Sequence, residues 1–366
     1  MEFQIARDDL LQALQSVIGV VERRQTMPIL SHLLLQADDG TLTLTGTDLE
    51  LELRARATIQ QEQSGTTTVP ARKLFDICRG LPQDSQLIFK SKDNQLTIQS
   101  GRSRFTLSTL SAGDFPFLEQ ISEGHHLLIP KHNLKRLLER THFAMAHQDV
   151  RYYLNGLLLA VRPDRLRAVA TDGHRLALCD IFQPSDIEKE IQVIVPRKAI
   201  TELRRLLDDE DESVEVTLTN NHLQLTLNSI RFTTKLIDGR FPDYDRVIPD
   251  EGDKRLTGNR NTIHQALSRT AILSNEKFRG VRLQLEGSTL KLQAQNPEHE
   301  QAEEELEVEY EGAPLEIGFN VNYLLDALSV MESEQFTLEM SGADSSGLLR
   351  EAGDQTSRYV VMPMRL

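Results

Sequence analysis

The sequence predicts an α+β protein made of three tandem copies of one unit, each with two helices over mainly antiparallel sheet. Segments of the same kind recur in the same order at a nearly constant period. Within each copy the apolar positions switch between a spacing of two and a spacing of about 3.6 residues. A length of 366 residues also exceeds the size at which a single core keeps growing, so several domains are expected.

The segment LRAVATD (166–172) aligns with LTLTGTD (42–48) and with LKLQAQN (290–296), each a step of 124 residues. A second set comprises VPARKLFDICRGL (69–81), VPRKAITELRRLL (195–207) and FNVNYLLDALSVM (319–331). A third set, spaced by 127, is RFTLSTL (104–110), RFTTKLI (231–237) and RYVVMPM (358–364). The connectors DFP (114–116) and RFP (240–242) follow the first two members of that set. The units therefore run over 1–124, 125–252 and 253–366.

Inside a unit the order is strand, helix, then several strands, carried out twice. Leu42 and Leu44, and Leu223, Leu225 and Leu227, alternate with polar residues, the mark of strands with one buried face. The turn signals DDG (38–40) and DN (93–94) stand just before such runs. In NLKRLLERTHFAMA the apolar residues 134, 137, 138 and 145 make one helical face. In VPARKLFDICRGL a helical wheel turns Leu74, Ile77 and Leu81 inward and Arg72 and Arg79 outward. In VPRKAITELRRLL, Ile200, Leu203 and Leu207 face inward, with Lys198 and Arg205 opposite. His132, Lys135 and Arg136 likewise lie away from the leucines of their helix, whereas the third unit has Asn322 and Ser329 at the matching positions.

This distribution matters because the chain as a whole carries a formal charge of −14. A net negative charge repels nucleic acid at long range. Basic residues arrayed on the outer faces of repeated helices, with no base-reading motif, nevertheless suit phosphate contacts that ignore sequence. Asp76, Glu139 and Glu202 dilute the stripes, and a solvated helix face is the competing reading. The acidic charge is concentrated too: PEHEQAEEELEVEYEG (297–312) alternates Leu306, Val308 and Tyr310 with acids and reads as a strand. Lys73, Arg102 and Arg104 of the first unit offer the opposite charge, which favours a head-to-tail contact between chains.

Cys78 and Cys179 lack zinc-ligand spacing and fit a reducing cytoplasm. No run is apolar enough for a signal peptide or a membrane helix. The stretch TDGHRL (171–176) offers Asp172 and His174 as an acid/base pair, but Asp172 aligns with Asp48 and Asn296, which marks a repeated structural turn. There is no GxGxxG, P-loop, HExxH or GxSxG to support an enzyme. A peptide-binding scaffold unrelated to DNA would leave the basic pairs Arg72/Arg79 and Lys198/Arg205 unexplained.

Over essentially its whole length the chain resembles the bacterial DNA sliding clamps, the beta subunits of DNA polymerase III. The resemblance rests on MPIL (27–30), GTDLE (46–50), VPARKLFDICRGLP (69–82), SGRSRFTLSTL (100–110) and MAHQDVRYYLNG (145–156). It continues through ATDGHRLA (170–177), IVPRK (194–198), DGRFPDY (238–244), AILSNEKFRGVRL (271–283), GFNVNYLLD (318–326) and YVVMPMRL (359–366). It implies a ring-shaped head-to-tail homodimer of DNA-clamp units, with helices lining a hole around duplex DNA. It implies a non-catalytic processivity factor, without cofactor, metal or membrane. The implied partners are the replicative DNA polymerase, an ATP-dependent clamp loader and other proteins that carry a clamp-binding motif.

By the same resemblance, Arg24, Arg72, His147, Gln148, Arg151, Tyr152, Tyr153 and Lys198 are expected near DNA, with Tyr152 and Tyr153 alternatively in the core. The partner-peptide groove is expected from Leu154, Thr171, Gly173, His174, Arg175, Leu176, Pro242 and Val247. Asn320, Tyr323, Ser346, Val360, Met362, Pro363, Met364, Arg365 and Leu366 complete it. The dimer interface is expected to set Lys73, Arg102, Arg104, Phe105 and Leu107 against Ile272, Leu273, Glu298, Glu300, Glu303 and Glu304. The chain departs from the family at Asp344, where an apolar groove residue is common, and ADSSGLLREAGDQ (343–355) matches least.

Overall fold

The structure, a computed structural model, describes residues 1–22, 27–119, 121, 123–208 and 212–365. Arg24 and Leu366 lie outside the described residues. The first copy runs β1 (Glu2–Ala6), α1 (Arg7–Val17), β2 (His32–Asp38), β3 (Thr41–Thr47), β4 (Leu51–Thr58), β5 (Gln60–Gln63) and β6 (Gly65–Pro70). It ends with α2 (Ala71–Gly80), β7 (Gln86–Lys92), β8 (Gln95–Ser100) and β9 (Ser103–Ser108). The second runs β10 (His125–Pro130), α3 (Lys131–Glu139), β11 (Gly156–Val161), β12 (Arg165–Thr171), β13 (Arg175–Phe182) and β14 (Ile191–Pro196). It ends with α4 (Arg197–Leu206), β15 (Ser213–Leu218), β16 (His222–Leu227) and β17 (Ile230–Lys235). The third runs β18 (Lys254–Asn259), α5 (Arg260–Thr270), β19 (Gly280–Glu286), β20 (Thr289–Gln295), β21 (Gln301–Glu307), β22 (Glu309–Glu311) and β23 (Leu315–Asn320). Its last elements are α6 (Val321–Ser329), β24 (Gln335–Met340), β25 (Gly347–Glu351) and β26 (Ser357–Val361). The double strand–helix–strands pattern thus recurs three times, and every strand pairing among the described residues is antiparallel.

The chain folds as two compact units, residues 1–132 with 201–236 and residues 133–200 with 237–366. The first holds a five-stranded sheet, β5-β1-β7-β8-β9, and an eight-stranded sheet, β10-β15-β16-β17-β4-β3-β2-β6. The second holds a nine-stranded sheet, β14-β11-β12-β13-β26-β25-β24-β18-β22, and a four-stranded sheet, β21-β20-β19-β23. The second copy is therefore shared: one of its sheets continues into the first copy and the other into the third. In the first unit β17 pairs with β4, Phe232 opposite Leu53. In the second, β26 pairs with β13, Tyr359 opposite Ala177. Phe232 and Tyr359 occupy the same repeat position and both are fully buried, which stabilises each junction by about 2 kcal/mol.

Local chemistry explains the elements. Asp39 (φ 46°) and Gly40 (φ 68°) both have left-handed backbone, the tight hairpin turn that joins β2 to β3. Asn259 and Asn320 cap α5 and α6 by accepting from the amides of Thr262 and Asn322. The run GLLLAV of β11 is buried throughout, as a strand covered on both faces requires.

Three expectations need correction. The helix beginning near 131 stops at Glu139, so Met145 is not on its face. The Thr141 hydroxyl takes the Leu137 carbonyl and the His142 ring meets the Leu138 carbonyl, ending the helical ladder there. In α2 the buried face is Ala71, Leu74 and Cys78, with Ile77 only half-buried. The acidic stretch is two strands: β21 belongs to the four-stranded sheet, β22 pairs with β18, and buried Val308 forms the bend between them. No helix among the described residues is long and apolar enough to cross a membrane.

Candidate functional site

The TDGHRL segment is a turn built by its own side chains. The Asp172 carboxylate accepts from the amides of His174 (2.9 Å) and Arg175 (3.0 Å), and the Thr171 hydroxyl donates to the Arg175 carbonyl. Asp48 does the same for Glu50 and Leu51, and the Asn296 side chain accepts from the Glu300 amide. The side chain at this position, Asp or Asn, is a turn former in all three repeats.

Beside this turn, in the second unit, lies a groove of about 280 Å³ lined mainly by apolar atoms. Leu154, Thr171, Gly173, Arg175, Leu176, Pro242, Val247, Val360 and Met362, all expected there, line it. Arg151, Tyr153 and Tyr244 line it as well. Its floor is the top of a core cluster that includes Leu158, Leu176, Ile194, Phe241 and Val360. The edges β13 and β26 hold the walls in register, with Leu176 opposite Val360, and the Met362 amide donates to the His174 carbonyl at 2.9 Å.

Two arginines set the shape of the rim. Arg175 has its guanidinium between the Tyr323 ring (4.5 Å) and the Phe143 ring (5.4 Å). It also reaches Asp326 at 2.5 Å, Asp172 at 3.1 Å and the Phe143 carbonyl at 2.7 Å. Arg151 grips Asp149 with two bonds (3.0 and 2.8 Å) and donates to the Asp172 carbonyl. Those bonds hold the Asp149 carboxyl at about 2. Gly173 has φ +90°, and a Cβ there would lie 3.0 Å from the Arg151 guanidinium, so backbone conformation and space both call for glycine.

Three family models match the chain in succession: the N-terminal domain of the DNA polymerase III beta subunit at 1–119, its central domain at 128–243 and its C-terminal domain at 245–365. The beta sliding clamp of Pseudomonas putida is 56% identical over 367 residues, and that of Escherichia coli 50%, with each chain covered in full. The chain belongs to the beta sliding clamp family. A Pseudomonas aeruginosa clamp of this family, solved bound to griselimycin, superposes with a TM-score of 0.96 at 53% identity over 100% of both chains.

The remaining clamp-family positions distribute as follows. His174, Asn320, Tyr323, Ser346, Pro363, Met364 and Arg365 lie outside this 280 Å³ cavity. Tyr323 underlies Arg175, Asn320 caps α6 and donates to the Phe278 carbonyl, and the Met364 amide bonds the Gly318 carbonyl. Asp344 is exposed and outside the lining. Arg151 and Tyr153, expected near DNA by resemblance, also line the groove, where the short turn Tyr152–Leu154 places half-buried Tyr153 and buried Leu154. Tyr152 points out and is 57% exposed, so it is not a core aromatic. Tyr244 was missed; its signal is the position two residues beyond Pro242 in RFPDY.

On the helices, Arg72 is exposed and also bonds the Val21 carbonyl, and Arg79 pairs with Asp76. Lys198 is half-buried, and His147 and Gln148 are exposed. Arg205 does not stand free: it donates to the Gln15 (2.6 Å) and Ser16 (3.0 Å) carbonyls, closing the C-terminal end of α1. Arg136 is likewise bound to Asp354 and Thr356.

At the expected interface, Lys73, Arg102, Arg104, Glu298 and Glu300 are exposed, Phe105 and Leu273 are half-buried, and Ile272 is 74% exposed. Leu107 is buried at 9% exposure, two residues beyond Phe105 on the edge strand β9. Glu304 is held by Arg269 in two bonds and Glu303 by Lys291, each pairing pulling its carboxyl below the usual range. These internal partners escaped the sequence reading because the packing of α5 on β21, which brings Arg269 to Glu304, and the register of β20 against β21, which brings Lys291 to Glu303, leave no local pattern.

Proposed function

We propose that two copies of this chain close head to tail into a ring around duplex DNA. The ring slides, catalyses nothing itself, and tethers the replicative polymerase and other replication and repair proteins through peptides seated in the groove. The observation that carries this is the repeated strand pairing at the junctions between copies. The strands β4, β13 and β21 are repeat equivalents, as are β9, β17 and β26. β4 takes β17 and β13 takes β26, whereas β9 and β21 are edge strands that, among the described residues, pair only with β8 and β20. A third junction of the same kind joins β9 of one chain to β21 of another.

The two observed junctions supply the register. Arg231 lies opposite Arg54 and Arg358 opposite Leu178. Carried onto the third junction, Arg104 falls opposite Glu303 of the partner subunit and Phe105 opposite the partner's Ala302. Cross-strand pairs of opposite charge stabilise by a few tenths to about 1 kcal/mol each, and Phe105 takes the position of buried Phe232 and Tyr359.

Domain borders fall at 124/125 and 252/253, in the stretches between β9 and β10 and between β17 and β18. The exposed Arg72, His147 and Gln148 are within reach of phosphates, and Lys198 and Arg24 are the further positions that the family resemblance assigns to DNA. Topological binding allows each contact to stay weak. Met362 gives the groove a wall that adapts to different peptides. The two buried free cysteines fit a cytoplasmic protein.

Light scattering tests the ring. The parent should show twice the 41.5 kDa of one chain, Arg104→Glu should shift it toward monomer, and adding Glu303→Arg should restore the dimer. A monomeric parent, or a dimer indifferent to Arg104→Glu at low salt, would refute the junction.

A further inference from the structure

We propose that the outer face of the eight-stranded sheet, at the β4–β17 junction, is a second docking surface, built for an extended acidic peptide. Arg54 and Arg56 lie two residues apart on β4 and so share one face of the sheet. Arg231 of β17 stands directly opposite Arg54. Like charges placed directly opposite are destabilising, and the chain around them carries a formal charge of −14. Glu52 is the carboxylate that answers them: it pairs with Arg54 at 2.7 Å, and its other oxygen accepts from the Leu118 amide. Arg54 also covers the Phe117 ring. Arg56 and Arg231 are exposed and have no ion pair among the described residues. The three arginines share a trough of about 210 Å³ with Gln36, Thr43 and Thr226.

The repeat shows that this charge is not required by the sheet. The equivalent of the Thr43–Arg56 pair is Arg167–Asp180, two bonds of 2.7 Å. That pair is neutral and buried against Tyr244. The first copy has Arg56 where the second has the acid Asp180, and Thr43 where the second has Arg167, so this pair offers Arg56 no carboxylate and the missing counter-charge comes from outside. Carboxylates on alternate residues of an extended chain repeat at about 7 Å, the spacing of Arg54 and Arg56 along β4. A nucleic acid fits less well: its charges beyond the trough would meet an acidic protein, and the one aromatic face present is taken by Arg54.

The test is fluorescence anisotropy with a labelled peptide alternating Glu and Thr, a control peptide with the same glutamates grouped, and a single-stranded oligonucleotide of equal charge. Arg56→Glu with Arg231→Glu is compared with the parent, with Arg56→Gln and Arg231→Gln as a milder pair and Arg54 left to brace Glu52. The alternating peptide should bind best, in a salt-sensitive way, and the reversed pair should weaken it about tenfold or more. Met362→Ala should not change it, which separates this surface from the groove. No binding by the parent, equal binding by the reversed pair, or tighter binding of the oligonucleotide would overturn the assignment.

Discussion

At the scale of residues, buried charge in the second unit is organised in pairs whose disruption is measurable. Arg140 and Glu351 are 4% and 6% exposed and 2.5 Å apart. Arg140→Ala should lower stability by about 3–5 kcal/mol, because Glu351 stays buried and charged with the amides of Glu332 and Ser333 but without its counter-charge. Replacing both by methionine should restore most of it, and chemical denaturation of the two variants decides. Asp354 gives a pH signature. Burial opposes its ionisation, but hydrogen bonds from Thr356 and Ser357 and the charge of Arg136 bring its carboxyl from 3.8 to about 2. A depressed folded value means that the stabilisation is present above the ordinary carboxylate range and is lost as pH falls from about 4 to about 2. Asp354→Asn should therefore be about 2 kcal/mol less stable than the parent at neutral pH and level with it near pH 2. At Gly173, alanine is strained by about 1 kcal/mol or more and pushes Arg151 away. Peptide affinity for the groove should fall in Gly173→Ala while the mass by light scattering stays unchanged.

At the scale of elements, much was readable. The turn residues Asp48, Asp172 and Asn296 were legible from alignment of the repeats, and the structure bonds them as turn formers. The hairpin at Asp39–Gly40 followed from turn chemistry alone. What escaped was set by partners distant in sequence. A helical wheel turned Arg205 outward, but it cannot show that α1 ends beside it, offering two carbonyls. Alternation across Val308 read as one strand because periodicity is blind to a change of sheet. Arg151 and Tyr153 were expected near DNA and not in the groove, and their place in its lining is set by the turn at Tyr152–Leu154, which has no periodic signal in the sequence. Arg205→Ala should destabilise the first unit by about 1 kcal/mol, through lost charge-assisted bonds to the end of α1. An unchanged denaturation midpoint would show that the contact contributes nothing.

At the scale of the molecule, the repeat and the sheets tell one story. Each boundary between copies is a sheet shared across the boundary, which is why the compact units do not coincide with the copies. In the proposed ring the edge strands β9 and β21 extend that rule to a second chain. Truncation after Val361 removes Met362 and the residues beyond it but leaves both edges in place, so partner docking should be lost with the dimer intact. Stimulation of the polymerase that survived this truncation would show the groove to be misassigned. The central claim is that DNA is held by encirclement and not by affinity. The measurement is retention on DNA after the ring has been loaded onto a nicked circle and the circle is then cut. Encirclement predicts prompt loss through the free ends, and retention when both ends are blocked. Protein that stays on unblocked linear DNA would contradict it.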